Sequence, residues 1–114
     1  MSREIIARTW RGATAAADAD AYVAFLDRTG VAECRATPGN LGVYVLRRPL
    51  GDRTEFLFVS LWENEASIRG FAGDDIERAR FYPEDERFLL DRDWHVNHYT
   101  VARESLATLR EATG

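Results

Sequence analysis

The sequence predicts an α+β fold of the ferredoxin-like type, a sandwich with the element order β-α-β-β-α-β. The clearest observation behind this prediction is a hairpin signal, Pro49-Leu50-Gly51-Asp52, which separates two apolar strand patterns. A helical pattern both precedes and follows this hairpin, and a strand pattern lies near each end of the chain. No repeat or linker divides residues 1–114, so we expect a single domain.

The first predicted elements are a strand and a helix. Residues 4–10 alternate in the manner of a strand, and the alanine-rich residues 13–21 are expected to begin the helix. Asp18 or Asp20 can cap this helix, and Gly30 is expected to end it. An apolar stripe at helical spacing supports it, formed by Tyr22, Phe25, Leu26 and Thr29.

The remaining elements follow from turn signals and periodicity. A short second helical turn over residues 31–35 precedes Pro38-Gly39-Asn40, whose composition predicts a turn. The hairpin strands are expected over residues 42–48 and 54–62. The elements predicted after the hairpin are a helix over 63–71, a short helix from Asp74 or Asp75 to Pro83, a strand over 94–101 and a polar helix over 102–112.

Both hairpin strands are apolar on both faces. The alternating pairs are Val43 and Val45 against Tyr44 and Leu46, and Phe56 and Phe58 against Leu57 and Val59. Two helical regions can cover only one face of so small a sheet. Because a large bare apolar face is unusual for a monomer, we predict a homodimer joined through the sheets.

All 15 basic residues are arginine, and the chain contains no lysine. This composition excludes Schiff-base and pyridoxal phosphate chemistry and the lysine of a phosphate-binding P-loop. The net charge of −4 argues against nucleic acid as a partner. No apolar run reaches the length that a membrane span needs, so a membrane partner is not expected and we predict a cytoplasmic protein.

Two segments then resemble a known family. TPGNLGVYVLRR at residues 37–48 and FLFVSLWENEASIRGF at 56–71, with the predicted element order, are similar to the antibiotic biosynthesis monooxygenase domain. The most specific mark is a strand that ends in Trp62-Glu63 before a polar-started helix. The resemblance covers most of residues 3–101. It implies a dimeric α+β barrel, in a superfamily that includes cofactor-free polyketide oxygenases and haem-degrading monooxygenases.

The resemblance transfers few functional residues. The polyketide oxygenases have an asparagine and a tyrosine where this chain has Phe58 and Ile68, and only Trp62 matches. Haem-degrading relatives have an asparagine, a tryptophan and a histidine, and an ungapped register places these at Thr9, Phe71 and Phe81. Phenylalanine cannot ligate iron. No cofactor is therefore expected, and the family triad does not support haem.

The histidines are His95 and His98. On a strand a spacing of three sends the two side chains to opposite faces, so they cannot share a metal ion and no metal site is predicted. His98 is a candidate acid–base group or axial haem ligand, against the more ordinary interpretation of a hydrogen-bonded surface histidine.

Arg8 shares one face of the first strand with Trp10. An arginine on an apolar face is costly unless it is paired. Two interpretations are equally supported: a clamp for a carboxylate, enolate or propionate, or an ion pair with one of the carboxylates of the chain or of a dimer partner. Arg8 is accordingly a candidate catalytic residue.

Aromatic residues gather around the second helical region. The ordinary interpretation is that they form core, but they could also line a flat pocket for an aromatic ligand. The candidate binding residues are Trp10, Trp62, Phe71 and Phe81. Tyr82, just before Pro83, is a third candidate catalytic residue because its hydroxyl could face a cleft.

The acidic clusters and the lone cysteine are weaker candidates. Asp74-Asp75 and Glu84-Asp85-Glu86 lie at predicted helix starts, where capping is favoured over metal binding or catalysis. Cys34 has only Arg35 beside it to lower its pKa, so it is a poor nucleophile.

Three hypotheses remain. The first is a monooxygenase-like enzyme that deprotonates a small aromatic or polyketide-like phenol, with His98 or Tyr82 as the base and Arg8 holding the anion. The second is a non-catalytic dimeric ligand-binding or stress-associated domain, which the missing family residues favour. A haem-binding relative is a third and rests on His98 alone.

Overall fold

The computed structural model describes residues 4–107 and contains one antiparallel sheet. Its strands are β1 (Ile6–Ala15), β2 (Asn40–Leu50), β3 (Arg53–Trp62), β4 (Leu89–Arg92) and β5 (Asn97–Thr100). The strand order is β2-β3-β1-β4, and β5 also pairs with β1. Because β4 pairs with one end of β1 and β5 with the other, the two short strands share the fourth position of the sheet. The predicted ferredoxin-like α+β fold is confirmed.

The helices lie on one side of this sheet. They are α1 (Ala19–Leu26), α2 (Ala32–Ala36), α3 (Glu65–Ala72) and α4 (Asp85–Phe88). A π-helical turn, Asp27–Val31, joins α1 to α2, so the prediction that Gly30 ends the helix is wrong. Gly30 is instead buried against the sheet, where an added Cβ would lie 3.3 Å from the ring of Phe58. Its small size, and not its backbone freedom, is what the fold uses.

The hairpin and α3 agree with the sequence prediction. Gly51 and Asp52 form a tight turn between β2 and β3, with Gly51 at a φ of 65°. The Asn64 side chain accepts a hydrogen bond from the Ser67 N–H and caps α3, which ends before Gly73 at a φ of 88°.

The alanine-rich residues 13–15 are strand, which corrects the prediction that they begin a helix. Thr14 and Ala15 pair with Thr54 and Arg53 of β3, and Ala13 and Thr14 also pair with β4. Sheet pairing on both sides thus outweighs the local helix preference of alanine. Asp18 precedes α1 but its side chain makes no capping hydrogen bond.

The second half of the chain differs from the sequence prediction at four places. Residues 73–84, predicted as a short helix, form an irregular segment that we call the 73–84 loop. Its backbone bonds to the strand region instead, since the Ala79 N–H donates to Trp94 and the Val96 N–H donates to Glu77. The predicted strand over 94–101 is shortened to β5, and β4 was not expected. Residues 102–107 are not helical, and the rest of the predicted C-terminal helix lies outside the described residues.

The two faces of the sheet differ as their alternation predicts. The inner face, which packs under the helices, buries every second residue of β3: Thr54, Phe56, Phe58, Ser60 and Trp62. The outer face exposes large apolar side chains, among them Tyr44, Leu46 and Leu57. Among residues 4–107 no helix is long and apolar enough to cross a bilayer.

Candidate functional site

Arg8 lies on the inner face near the end of the sheet away from the hairpin. Its cross-strand partners are Ser60 on β3 and His98 on β5, so three polar residues form one row across this face. Only 5% of Arg8 is exposed. The strand that was predicted to place Arg8 on an apolar face therefore does so, and it buries a guanidinium there.

The guanidinium of Arg8 is only partly satisfied. Its Nη2 donates to the carbonyl oxygen of Arg78 at 2.8 Å, and its Cζ lies 5.7 Å from the centre of the Phe71 ring. The Nε atom is buried without a hydrogen-bond partner, and Arg8 makes no ion pair within the described part of the chain. Burial lowers the pKa of Arg8 below its ordinary value. Of the two interpretations of Arg8, the ion pair with a carboxylate of the same chain is therefore not found among residues 4–107.

His98 is held at one ring nitrogen and free at the other. Its Nδ1 lies 3.1 Å from Oε2 of Glu77. An ionised carboxylate only accepts hydrogen bonds, so Nδ1 is the donor and carries a proton. Nε2 is buried and has no partner among residues 4–107. A neutral imidazole in this state presents an unprotonated Nε2, the form that accepts a proton.

His95 is separate from this group. It is exposed, lies outside the strands and pairs through its backbone with Arg78. The predicted strand that would send the two imidazoles to opposite faces therefore contains His98 but not His95. Within the described residues, no three side chains of the metal-ligating types come together.

Tyr82 lies at the end of the 73–84 loop in a charged network. Its hydroxyl donates to Oε2 of Glu33 at 2.5 Å, and the same carboxylate pairs with Arg80 at 2.6 Å. Burial, with a smaller contribution from the bond to Glu33, raises the pKa of Tyr82 above its ordinary value. A phenol that already donates to a carboxylate is a poor base near neutral pH.

The four predicted binding aromatics form two groups instead of one wall. Trp62 and Phe71 are buried with ring centres 5.9 Å apart, and the indole N–H of Trp62 donates to the Ser60 hydroxyl. Trp10 lies 6.0 Å from Phe81, and its indole N–H donates to the carbonyl oxygen of Asp93. Phe71 therefore touches the Arg8 site, whereas Trp10 and Phe81 belong to a second aromatic cluster with Trp94.

Glu77 and Arg78 were not among the predicted site residues. Both lie in the 73–84 loop, and their contacts with His98 and Arg8 span 21 and 70 residues of sequence. The sequence signal there, Asp74-Asp75 before an apolar residue, instead indicated a helix start. The Asp75 carboxylate does accept a backbone bond, from the N–H of Glu77 at 3.2 Å, but it stabilises a turn.

Cys34 of α2 is fully buried near this group. Burial raises the pKa of its thiol to about 12, although the charges of Arg8 and Arg80 act in the opposite direction. A neutral buried thiol is a weak nucleophile, in agreement with the expectation from sequence.

Three surface clefts, of about 310 to 350 Å³, lie around the hairpin and on the outer face. Arg47 and Arg48 line two of them, and pair with Asp20 and Glu55 as solvent-exposed ion pairs. None of these three clefts is lined by Arg8 or His98. At Arg8 itself, the carbonyl oxygen of Arg78 in the 73–84 loop contacts the guanidinium.

Comparison with known proteins identifies the family. The family model described as antibiotic biosynthesis monooxygenase matches residues 12–76, more than half of the chain. The chain belongs to this family. Among proteins with curated functions, none matches the sequence.

Solved structures of the antibiotic biosynthesis monooxygenase type share the fold. A candidate member from Bacillus cereus aligns with a TM-score of 0.64 at 15% identity, covering 91% of this chain and 99% of the other. SnoaB, a cofactor-independent oxygenase from Streptomyces nogalater, gives 0.56 at 16% identity, covering 92% and 98%. A dimeric ferredoxin-like protein from an uncultured marine organism gives 0.58 at 13%, covering 91% and 100%. At such identities the likeness concerns the fold.

The positions that the family resemblance singles out are part of the core in this chain. Phe58 is 8% exposed and Ile68 is fully buried, so neither offers a polar group to a ligand. Of the positions expected to form the haem triad, Thr9 pairs with Val59 on the outer face, away from the helices. Phe71 packs on Trp62. Since these residues lie on opposite faces and lack an imidazole, they do not fit a haem.

Proposed function

We propose that this chain is a cofactor-independent oxygenase for a small aromatic or polyketide-like phenol, bound between the inner face and the 73–84 loop. The observation that supports it is the pair of unpartnered nitrogens, Nε of Arg8 and Nε2 of His98, on directly paired residues of β1 and β5. A buried polar atom without a partner costs about 1–3 kcal/mol. Two of them side by side suit a ligand that brings one acceptor and one donor.

A phenol brings both groups. Its hydroxyl donates to Nε2 of His98, and its oxygen accepts from Nε of Arg8, also after the proton has been lost. Nε2 of His98 would accept the phenolic proton, and Arg8 would then hold the phenolate oxygen in a site with little water. Tyr82 is the weaker choice of base because its raised pKa keeps it protonated. In this role it contributes a wall of the site together with Arg80, whose guanidinium lies over its ring at 5.2 Å.

Oxidation of the substrate anion by O₂ then needs no cofactor. For an anthrone-type phenol, the deprotonated substrate passes one electron to O₂, and the two radicals combine to form the C–O bond of a peroxide. The His98 imidazolium returns its proton to the peroxide anion, and loss of water from the resulting hydroperoxide leaves one oxygen atom in a new carbonyl and the other in water. Phe71 beside Arg8, supported by Trp62, would stack on the ring, and Trp10 with Phe81 would bind a larger ring system.

Oxygen uptake with an anthrone-type phenol tests this proposal. We expect His98→Gln to lower kcat by about 100-fold, the typical value of a general base, and Arg8→Met to weaken phenol binding and turnover. His95→Gln is the matched control and should leave the rate unchanged. Binding of the phenol without oxygen uptake in the wild type would favour the non-catalytic alternative. Turnover that survives both substitutions would contradict the assigned roles.

We also infer that the outer face joins two copies of the chain. Tyr44, Leu46 and Leu57 are 53%, 48% and 37% exposed on that face, and neighbouring large apolar side chains exposed together are typical of an interaction surface. Light scattering after size exclusion should give twice the chain mass at micromolar concentration. Leu46→Glu should shift it to the monomer, with Ala24→Glu, at an exposed position of α1 on the other side of the sheet, as the control. A monomeric wild type would overturn this inference.

A further inference from the structure

We infer that Glu77 is the positioning residue of this site, because its carboxylate accepts from Nδ1 of His98 and leaves Nε2, on the residue paired with Arg8, as the acceptor nitrogen of the neutral imidazole. The bond from Nδ1 to Oε2 is 3.1 Å, and it is the polar contact of the His98 ring within the described residues. The inference rests on the proposed function for its catalytic meaning. Its structural part, the control of the imidazole tautomer, can be tested separately.

The backbone of Glu77 is fixed to the segment that leads into β5. The Val96 N–H, two residues before His98, donates to the Glu77 carbonyl oxygen at 2.8 Å. On the other side of the residue, the Glu77 N–H donates to the Asp75 carboxylate at 3.2 Å. The carboxylate and the imidazole therefore start from backbones that are bonded to each other, which limits how far the ring can turn away.

The next residue of the loop holds the other half of the site. The carbonyl oxygen of Arg78 accepts the hydrogen bond from Nη2 of Arg8 at 2.8 Å. Two consecutive residues thus contact the two groups that the proposed reaction needs, one through a side chain and one through the backbone. With Nη2 bonded to the loop, Nε of Arg8 is a buried donor without a partner among the described residues, on the residue paired with His98.

Glu77 acts on the choice of the ring nitrogen of His98 that carries the proton. A neutral imidazole has one donor and one acceptor nitrogen, and a carboxylate at Nδ1 selects the form with the acceptor at Nε2. Without that carboxylate the two tautomers mix and the ring is free to turn. The side chain of Glu77 is 66% exposed, so we expect a smaller effect than that of a buried carboxylate.

Nitrogen-15 NMR tests the tautomer directly. The chain has 2 histidines, so a His95→Gln background leaves His98 as the single imidazole. At about pH 8, above the usual imidazole pKa, we expect a protonated-type signal at Nδ1 and an unprotonated-type signal at Nε2. Glu77→Gln should give averaged signals, whereas the control Glu65→Gln, which breaks a surface pair with Arg69, should not. Unchanged His98 signals in Glu77→Gln would overturn the inference.

Kinetics test the positioning role when oxygen uptake is present. We expect Glu77→Gln to lower kcat about tenfold with little change in KM, since it alters the base and not the binding surface. Glu77→Asp, which keeps the charge on a shorter side chain, should fall between it and the wild type. Equal kcat in all three would contradict the role. If the wild type consumes no oxygen, the proposed function fails, and the NMR result still decides whether Glu77 sets the tautomer.

Discussion

The two ends of the inner face differ in whether their buried polar groups have hydrogen-bond partners. Near the hairpin, the rings of Tyr22, Phe25, Phe56 and Phe88 pack with centres 5.1 to 5.7 Å apart, and we call these residues the aromatic end. At the other side lie Arg8, Ser60 and His98, the polar end, beneath the 73–84 loop. Each end contains a buried charged or ionisable group, but only the aromatic end satisfies it.

Asp85 is a buried side chain whose carboxyl oxygens both have hydrogen-bond partners, and its role is structural. It is 3% exposed, and its two oxygens accept from the Tyr22 hydroxyl at 2.8 Å and the Tyr82 N–H at 2.7 Å. Arg8, at 5% exposed, retains an unpartnered Nε, and His98 beside it retains an unpartnered Nε2. The difference teaches that burial alone does not identify a site. An unmet hydrogen-bonding requirement, repeated on neighbouring residues, is the stronger indication.

The largest expected effect is at the aromatic end. Phe25→Ala removes a fully buried ring, and we expect it to lower the free energy of unfolding by about 3–5 kcal/mol. Urea unfolding followed by circular dichroism measures this loss. Trp94→Ala, at a side chain that is 60% exposed, is the control and should change stability by much less. Similar losses for the two variants would show that the aromatic end is not the main core.

A smaller loss of stability is expected when the Asp85 carboxyl loses its hydrogen bond from Tyr22. Tyr22→Phe keeps the ring but removes the hydroxyl that donates to Asp85, so a buried carboxylate loses one partner. We expect a loss of about 1–3 kcal/mol in unfolding free energy and no loss of phenol binding at the polar end. Tyr44→Phe, on an exposed tyrosine, is the control. A stability equal to the wild type would mean that water replaces the hydroxyl.

Alkaline pH should destabilise the protein through Cys34. Its pKa is raised from 9.0 to about 12 on folding, so the native state holds the proton that the unfolded state has lost. Stability from this group is complete below pH 9 and falls as the pH rises toward 12. Between about pH 8 and pH 10 the loss should be about 1 kcal/mol, and Cys34→Ala should flatten the profile. Parallel profiles for the two proteins would contradict this prediction.

The smallest change in stability is expected at Arg8. Arg8→Met removes an incompletely satisfied buried charge, so the lost bond to Arg78 is offset by the relief of desolvation. We expect a free energy of unfolding within about 1 kcal/mol of the wild type, together with loss of phenol binding. Arg69→Met on α3 should leave both unchanged. A large destabilisation would make Arg8 a structural residue, and the contrast between the two ends would disappear.

Much of the fold follows from local sequence. The hairpin around Gly51, the alternation of Phe56 and Phe58 against Leu57, and the end of α3 at Gly73 are each encoded by neighbouring residues. The errors lie where distant partners decide. Residues 13–15 are strand because β3 and β4 pair with them, and the 73–84 loop is irregular because its backbone bonds to residues 94–96.

The candidate site shows the same division. Strand periodicity places Arg8 on an apolar sheet face, and this agrees with the structure. It also predicts His95 and His98 on opposite faces of one strand, whereas His95 lies outside the strands. The periodicity does not reveal Glu77, because an irregular segment has no period from which a side-chain direction could be inferred. The prediction from aromatic content that Trp10 and Trp62 line one pocket also differs from the structure, since the two indoles donate to different partners in different clusters.

By itself the sequence determined the antiparallel α+β fold, the family, and the fact that arginine supplies every fixed positive charge. Those properties follow from composition and from spacings of a few residues. Only the tertiary structure decided that Arg8 makes no ion pair with a carboxylate of residues 4–107, and that a loop residue, Glu77, contacts His98. The physical reason is that a hydrogen bond depends on distances of about 3 Å between atoms. The chain fixes these distances only when it brings together residues that are far apart in sequence.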